Sequence, residues 1–150
     1  MRIALIGFGN LGRAFAAGLL KSGFCEKKDI TVCAKTEDTL KTAREQYGFD
    51  AVKDAGQAAN RAEVVVFSVK GNVFVEIAGD FNKVSLKNKS IISFMAGVGK
   101  DKIREALCFS GEIVRAMPSL AISDANGIIG YTKNENREIE TLFKRLGFSF

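Results

Sequence analysis

Gly7, Gly9 and Gly12 stand at G-x-G-x-x-G spacing within Ile6-Gly-Phe-Gly-Asn-Leu-Gly12, close behind the first methionine. Glycine has no Cβ, so such a loop can offer bare main-chain N–H groups at short range. Where a strand leads into the loop and a helix leaves it, those groups and the positive end of the helix dipole can receive phosphate oxygens. In that pattern Gly7 makes the tight turn, Gly9 lets the backbone approach a pyrophosphate, and Gly12 lets the helix lie close to the sheet. Glycine triplets also arise in ordinary turns that need left-handed angles, so the flanking elements decide.

The flanks fit the phosphate reading. Arg2-Ile-Ala-Leu-Ile-Gly7 is a short apolar run ending at glycine, as a buried parallel strand should look. Leu11, Ala14, Phe15, Gly18 and Leu19 recur at helical offsets, and Ser22-Gly23 gives a stop. A helix opening near Asn10-Leu11 would aim its free N–H groups at the loop. The sequence therefore points to a dinucleotide, held by the loop Gly7, Phe8, Gly9, Asn10, Leu11 and Gly12.

Charge at the end of the second strand tells which dinucleotide. A carboxylate about 20 residues past the glycines bonds the free ribose 2′-hydroxyl of NAD and repels the 2′-phosphate of NADP. Here the strand ends Cys33-Ala34-Lys35-Thr36, a cation and a hydroxyl in place of the carboxylate. Ala34, Lys35 and Thr36 thus favour NADP(H), with NAD(H) possible. Glu37 and Asp38 follow, but acidic residues commonly match a helix dipole at its start. Lys35 as ordinary surface charge is the competing reading.

Other chemistries are poorly supplied. The chain has no histidine, the usual acid–base or triad partner for a nucleophile, which argues against classical triad hydrolysis. Cys25, Cys33 and Cys108 are an odd set without C-x-x-C spacing, so no metal site is expected; they read as reduced, mostly buried thiols of a cytoplasmic protein. The net charge is +5, but the basic residues are scattered, with no aromatic-interleaved stripe of the nucleic-acid kind. The longest apolar runs, such as Val64 to Phe67, fall far short of the roughly 18 residues of a membrane span. The expected partner is a small molecule, with neither nucleic acid nor membrane.

At 150 residues the chain is about one domain long. Further strands are expected at Asp29 to Ala34, Val64 to Phe67, Ser90 to Phe94, Ile113 to Ala116 and Gly127 to Thr132. Helices are expected over Glu37 to Tyr47, Phe74 to Phe81, Asp101 to Leu107 and Glu135 to Leu146, the last capped by Gly147. Unbroken alternation of strand and helix indicates an α/β, doubly wound, Rossmann-type sheet, open and mostly parallel, with helices on both faces.

Three more stretches carry a resemblance. Read with the glycine loop, Phe67-Ser-Val-Lys-Gly-Asn-Val73, the run from Ser93 to Leu107, and Ile113-Val-Arg-Ala-Met-Pro-Ser-Leu-Ala-Ile122 are similar in order and spacing to the N-terminal domain of pyrroline-5-carboxylate reductases. Members of that family make proline by hydride transfer from NAD(P)H to a cyclic imine. The resemblance covers essentially the whole chain. It implies that Ser68, Val69 and Lys70 sit beside the nicotinamide ribose. Ala96 and Gly97 would pass close to the nicotinamide ring, and Met117, Pro118 and Ser119 would end a strand at the substrate-side rim. Each also has a plainer reading: a surface lysine at Lys70, a tight turn at Ala96-Gly97, a core side chain at Met117.

The sequence departs from the family where substrate would lie. Gly71 replaces a proline, Met95 the first alanine of A-A-G, Ser119 an asparagine, and Leu120-Ala121 the usual T-P. The resembled enzymes continue into a mostly helical domain that forms the dimer and meets the imine. This chain has no counterpart to it, so residues 1–150 are read as a dinucleotide-binding domain, incomplete for turnover alone and oligomeric only with such a domain. No catalytic residue can be assigned. A stand-alone regulatory module remains an alternative, as does another NADP-dependent imine or carbonyl reductase, including the deazaflavin-dependent kind.

Overall fold

The computed structural model describes residues 1–150. Eight strands form one sheet in the order β3-β2-β1-β4-β5-β6-β7-β8. The strands are β1 (Ile3–Ile6), β2 (Ile30–Cys33), β3 (Asp50–Val52), β4 (Val64–Phe67), β5 (Ser90–Ser93), β6 (Ile113–Pro118), β7 (Gly127–Tyr131) and β8 (Gly147–Ser149). The helices between them are α1 (Asn10–Lys21), α2 (Glu37–Glu45), α3 (Ala55–Asn60), α4 (Gly71–Ile77), α5 (Lys100–Leu107) and α6 (Arg137–Leu146). From β3 to β6 every pairing is parallel. The doubly wound α/β class expected from the alternation is what the chain adopts.

Side chains alternate across the sheet and build a core on each face. Ile3, Leu5, Val64 and Val66 pack with Phe15 and Leu19 of α1 and with Ile139, Leu142, Phe143 and Leu146 of α6. Ala4, Ile6, Val65 and Phe67 pack on the other side with the small residues of α3, Phe74 of α4 and Ile103 of α5. Phe15, Phe67, Phe74 and Phe143 are fully buried, each stabilising the fold by about 1.5–3 kcal/mol.

The far end of the sheet differs from a simple parallel continuation. β7 runs antiparallel to β6, with Met117 opposite Gly130. The link from Ser119 to Asn126 is too short for the dozen or more residues a parallel crossover needs. A 3-10 turn over Leu120–Asp124 fills it. Ser119 closes the hairpin: its N–H donates to Ile128 O at 2.9 Å, and its hydroxyl accepts from Ile128 N–H at 3.0 Å. Gly147 ends α6 as expected but also opens the short strand β8, parallel to β7. The helix expected over Phe74 to Phe81 starts earlier, at Gly71, and tightens to 3-10 geometry over Ala78–Phe81.

Candidate functional site

The carboxyl ends of β1, β2, β4 and β5 finish level, with Ile6 paired to Cys33 and Phe67, and Phe67 paired to Ser93. The chain leaves all four strands at one edge. Main-chain bonds fix the departures: Gly7 N–H donates to Cys33 O at 2.9 Å, Ser68 N–H to Ile6 O at 2.8 Å, and Phe94 N–H to Phe67 O at 2.9 Å. This is the edge at which open α/β sheets receive ligands.

The three glycines do three different jobs. Gly7 has φ +102°, and a Cβ there would lie 2.7 Å from Val69 Cγ1. Gly12 brings α1 against the loop, where an added Cβ would stand 2.5 Å from Gly7 O and 2.8 Å from Ser68 Oγ. Gly9 is constrained by neither: its φ of −80° suits any residue, and nothing lies within 4 Å of where a Cβ would be. The space over Gly9 is open, and the fold itself makes no demand for glycine there.

Gly9 is also the N-cap of α1. No side chain bonds the first turn, and that turn holds no acidic residue, so its N–H groups stay available. Thr36, Asp54 and Asn136 cap α2, α3 and α6 with their own oxygens, whereas α4 and α5 also start uncapped, at Lys70 and Gly99. Of the three uncapped starts, only that of α1 has its N-cap in the wall of the cavity described next. Ser68, which donates to Gly7 O at 2.9 Å, props the loop from β4.

A cavity of about 260 Å³ opens beside the loop. Gly7, Phe8, Gly9 and Arg13 form one wall, Ala34, Lys35, Thr36, Thr39 and Lys53 a second, and Val69, Val73 and Ile77 a third. Three cations therefore face one hollow. Arg13 Nε donates to Phe8 O at 3.0 Å, its guanidinium lies 5.4 Å from the Phe8 ring centroid, and no carboxylate pairs with it. Lys53 pairs with Glu37 at 3.4 Å, and Lys35 pairs with Glu76 of α4. Thr36 Oγ1 accepts from Thr39 N–H at 3.2 Å and donates to the Thr39 hydroxyl, so it starts α2 as well as lining the hollow.

Cys33 sits at the floor of this cavity. Burial, followed by the charges of Asp80 and Asp54, pushes its thiol up to about 12. Its Sγ donates to Lys53 O at 3.5 Å. A neutral, buried thiol at neutral pH is no nucleophile. No group of three or more His, Cys, Asp or Glu side chains is placed to hold a metal ion.

The structure thus gathers Gly7, Phe8, Gly9, Ala34, Lys35, Thr36 and Val69 around one hollow. Asn10, Leu11, Gly12 and Ser68 adjoin it through α1 and the loop. Lys70 is exposed at the start of α4, and Ala96 and Gly97 are exposed in the turn after β5, Gly97 at φ +72° with open space above it. Met117 is 61% exposed, which removes the core reading for that side chain. It lines a second hollow of about 260 Å³ with Arg115, Gly130 and Tyr131, while Pro118 is half-buried and Ser119 holds the hairpin. Sequence reasoning missed Arg13, Thr39, Lys53, Val73 and Ile77, whose common address in the cavity wall is set only by folding, and Glu76, which pairs with Lys35 there. Arg13 alone carried a usable signal, one helical step past Gly9. The largest hollow, about 770 Å³, lies at the opposite edge, between 81–90 and 107–112, where helical segments end rather than begin.

Residues 2–97, from β1 through the turn after β5, match the sequence family described as NADP oxidoreductase, coenzyme F420-dependent. The chain belongs to this family. Similar proteins within reach of this family match are pyrroline-5-carboxylate reductases, as the motifs implied. The Escherichia coli K12 enzyme of that name is 29% identical over 133 residues, covering 89% of this chain and 49% of its own. A solved pyrroline-5-carboxylate reductase from Coxiella burnetii superposes with a TM-score of 0.84 at 26% identity, over 99% of this chain and 57% of its own. A Plasmodium falciparum pyrroline carboxylate reductase with NADP bound shares the fold, at a TM-score of 0.85 and 18% identity, over 100% of this chain and 56% of its own. The chain spans about half the length of the curated relatives it matches.

Proposed function

We propose that this chain is the NADP(H)-binding part of a reductase of the pyrroline-5-carboxylate type, which passes hydride to a small cyclic imine. The observation that carries this reading is Gly9: a position with no fold requirement for glycine, under open space, at the uncapped start of α1. Gly99 shares these features at the start of α5, but Gly9 alone adds the cationic hollow beside it, and that combination suits a pyrophosphate. In this reading the N–H groups from Gly9 to Gly12 hold the pyrophosphate, with Phe8 lining the approach. Lys35, aided by Arg13 and Lys53, meets the 2′-phosphate, and Ala34 and Thr36 line the ribose pocket. The hydroxyl and amides of Ser68, Val69 and Lys70 face the nicotinamide ribose. Ala96 and Gly97 give the ring close approach, and Met117, Pro118 and Ser119 border the substrate.

The dinucleotide, when bound, supplies the hydride; the protein's part is to fix its position and screen its charge. Hydride transfer needs the acceptor carbon held about 3–3.5 Å from the donor. The edge between Gly97 and Met117 provides one side of such a clamp. Residues beyond the matched half of the relatives would provide the other side, and with it the dimer. No side chain among the 150 is assigned the proton the imine takes up.

Thermal unfolding tests this reading. NADPH at about 100 times its Kd should stabilise the fold by about 2.7 kcal/mol, a rise in Tm of about 5–10 °C for a chain of this size. The same chain should form proline from pyrroline-5-carboxylate slowly if at all. An unmoved Tm would refute the binding claim, and brisk proline formation would refute the division of labour.

A further inference from the structure

Lys35 and Glu76 form an ion pair that belongs to neither core. Lys35 follows β2, and Glu76 lies on α4, which follows β4. β2 and β4 are the two neighbours of β1, so the pair bridges roughly 10 Å of sheet directly across the edge where β1 delivers the glycine loop. Val73 and Ile77 line the cavity from α4, and Glu76 falls beside them on the same helical face. α4 thus presents two apolar side chains to the hollow and sets a carboxylate on Lys35, which lines it. Both partners are more than half exposed, at 58% and 54%, and exposed pairs of this kind hold little of a fold together. Their placement matters more to what enters the cavity than to stability.

Resting on the dinucleotide reading above, we infer that Glu76 is a specificity-determining residue, setting the preference between NADPH and NADH by occupying Lys35 across the pocket mouth. The carboxylate usually found at the end of the second strand is missing here, and α4 supplies one from the opposite wall. It acts on the two cofactors in opposite senses. A 2′-phosphate must displace Glu76 from Lys35 and then sit near a like charge. A free 2′-hydroxyl can donate to that carboxylate and leaves the ion pair intact. Arg13, which has no acidic partner, and Lys53, held by Glu37, keep the pocket cationic enough to take the phosphate. Glu76 therefore trims a preference for NADPH that Lys35 creates.

The test is a set of direct titrations of NADPH and NADH into the wild-type chain and into Glu76→Gln, Lys35→Ala and the double variant. Glu76→Gln should tighten NADPH by about two- to five-fold, the scale of an exposed ion pair, and leave NADH unchanged or slightly weaker. In the Lys35→Ala background the same substitution should shift the NADPH-to-NADH ratio clearly less than in wild type, because the cation that Glu76 occupies is gone and only its direct charge on the 2′ position remains. Thermal unfolding of each variant without cofactor should match wild type, since neither side chain is part of the core. An unchanged ratio in Glu76→Gln overturns the inference while wild-type binding upholds the cofactor site. An equal shift with and without Lys35 also overturns it, showing bulk charge rather than the pair. Failure of the wild type to bind either dinucleotide removes the site itself and this inference with it.

Discussion

At the scale of single residues, the glycines of the loop separate fold from ligand. Gly12→Ala forces a Cβ to 2.5 Å from the Gly7 carbonyl, an overpacking that should cost about 1–3 kcal/mol and be read directly by chemical denaturation. Lys35→Asp should weaken NADPH while sparing or improving NADH, measured as the ratio of the two dissociation constants; an unmoved ratio would take Lys35 out of the account. The thiols give a pH prediction. Burial, with help from Asp29, raises Cys25 to about 11, and burial raises Cys33 to about 12. In the unfolded chain a thiol loses its proton near 8.5, so above that pH the unfolded state holds fewer protons than the folded one. The stability these thiols contribute is whole below about pH 8.5 and is lost as pH rises toward their folded values. Under native conditions near pH 8, iodoacetamide should label exposed Cys108 and spare Cys25 and Cys33; equal labelling by mass spectrometry would contradict their burial. The chemistry-bearing residues easiest to read in the sequence were those in the backbone motif, because Gly7, Gly9 and Gly12 act through local geometry. Lys53 and Glu76 come to the cavity and its ion pair only by folding, with nothing local to mark them, and Arg13 is marked only by its place one helical turn past Gly9.

At the scale of elements, legibility followed length and period. β1, β4 and α1 were plain because four-residue apolar strands and a twelve-residue amphipathic helix repeat their pattern enough to be recognised. β3 and β8 have three residues each, too few to show alternation. The apolar spacing of Phe74, Ile77, Ala78 and Phe81 has the period of an α-helix and does not mark where the backbone tightens, so the one expected helix resolves into α4 and a 3-10 turn over Ala78–Phe81. The antiparallel pairing of β7 follows from the short link before it, a constraint that strand and helix patterns do not express and that was not read from the sequence. α6 depends on its start: the Asn136 side chain accepts from the N–H groups of Glu138 and Ile139 at 3.0 and 3.3 Å. Asn136→Ala should cost about 1 kcal/mol and lower Tm by about 2–4 °C, whereas an unchanged Tm would show that packing of Phe143 and Leu146 alone sets that helix.

At the scale of the whole molecule, a sheet with two helical faces brings four strand ends level, and one uncapped helix turns its N–H groups to an open, cationic hollow. The family match covers that half of the sheet, residues 2–97. Cofactor capture is thus the property most fully built into these 150 residues. The most direct measurement is a fluorescence titration of NADPH into the wild-type chain beside Gly9→Val. A saturable signal from the wild type, with at least a ten-fold loss of affinity in a variant of unchanged thermal stability, is the predicted result. No saturation in the wild type, or equal affinity in Gly9→Val, would show that the open space over Gly9 receives no phosphate.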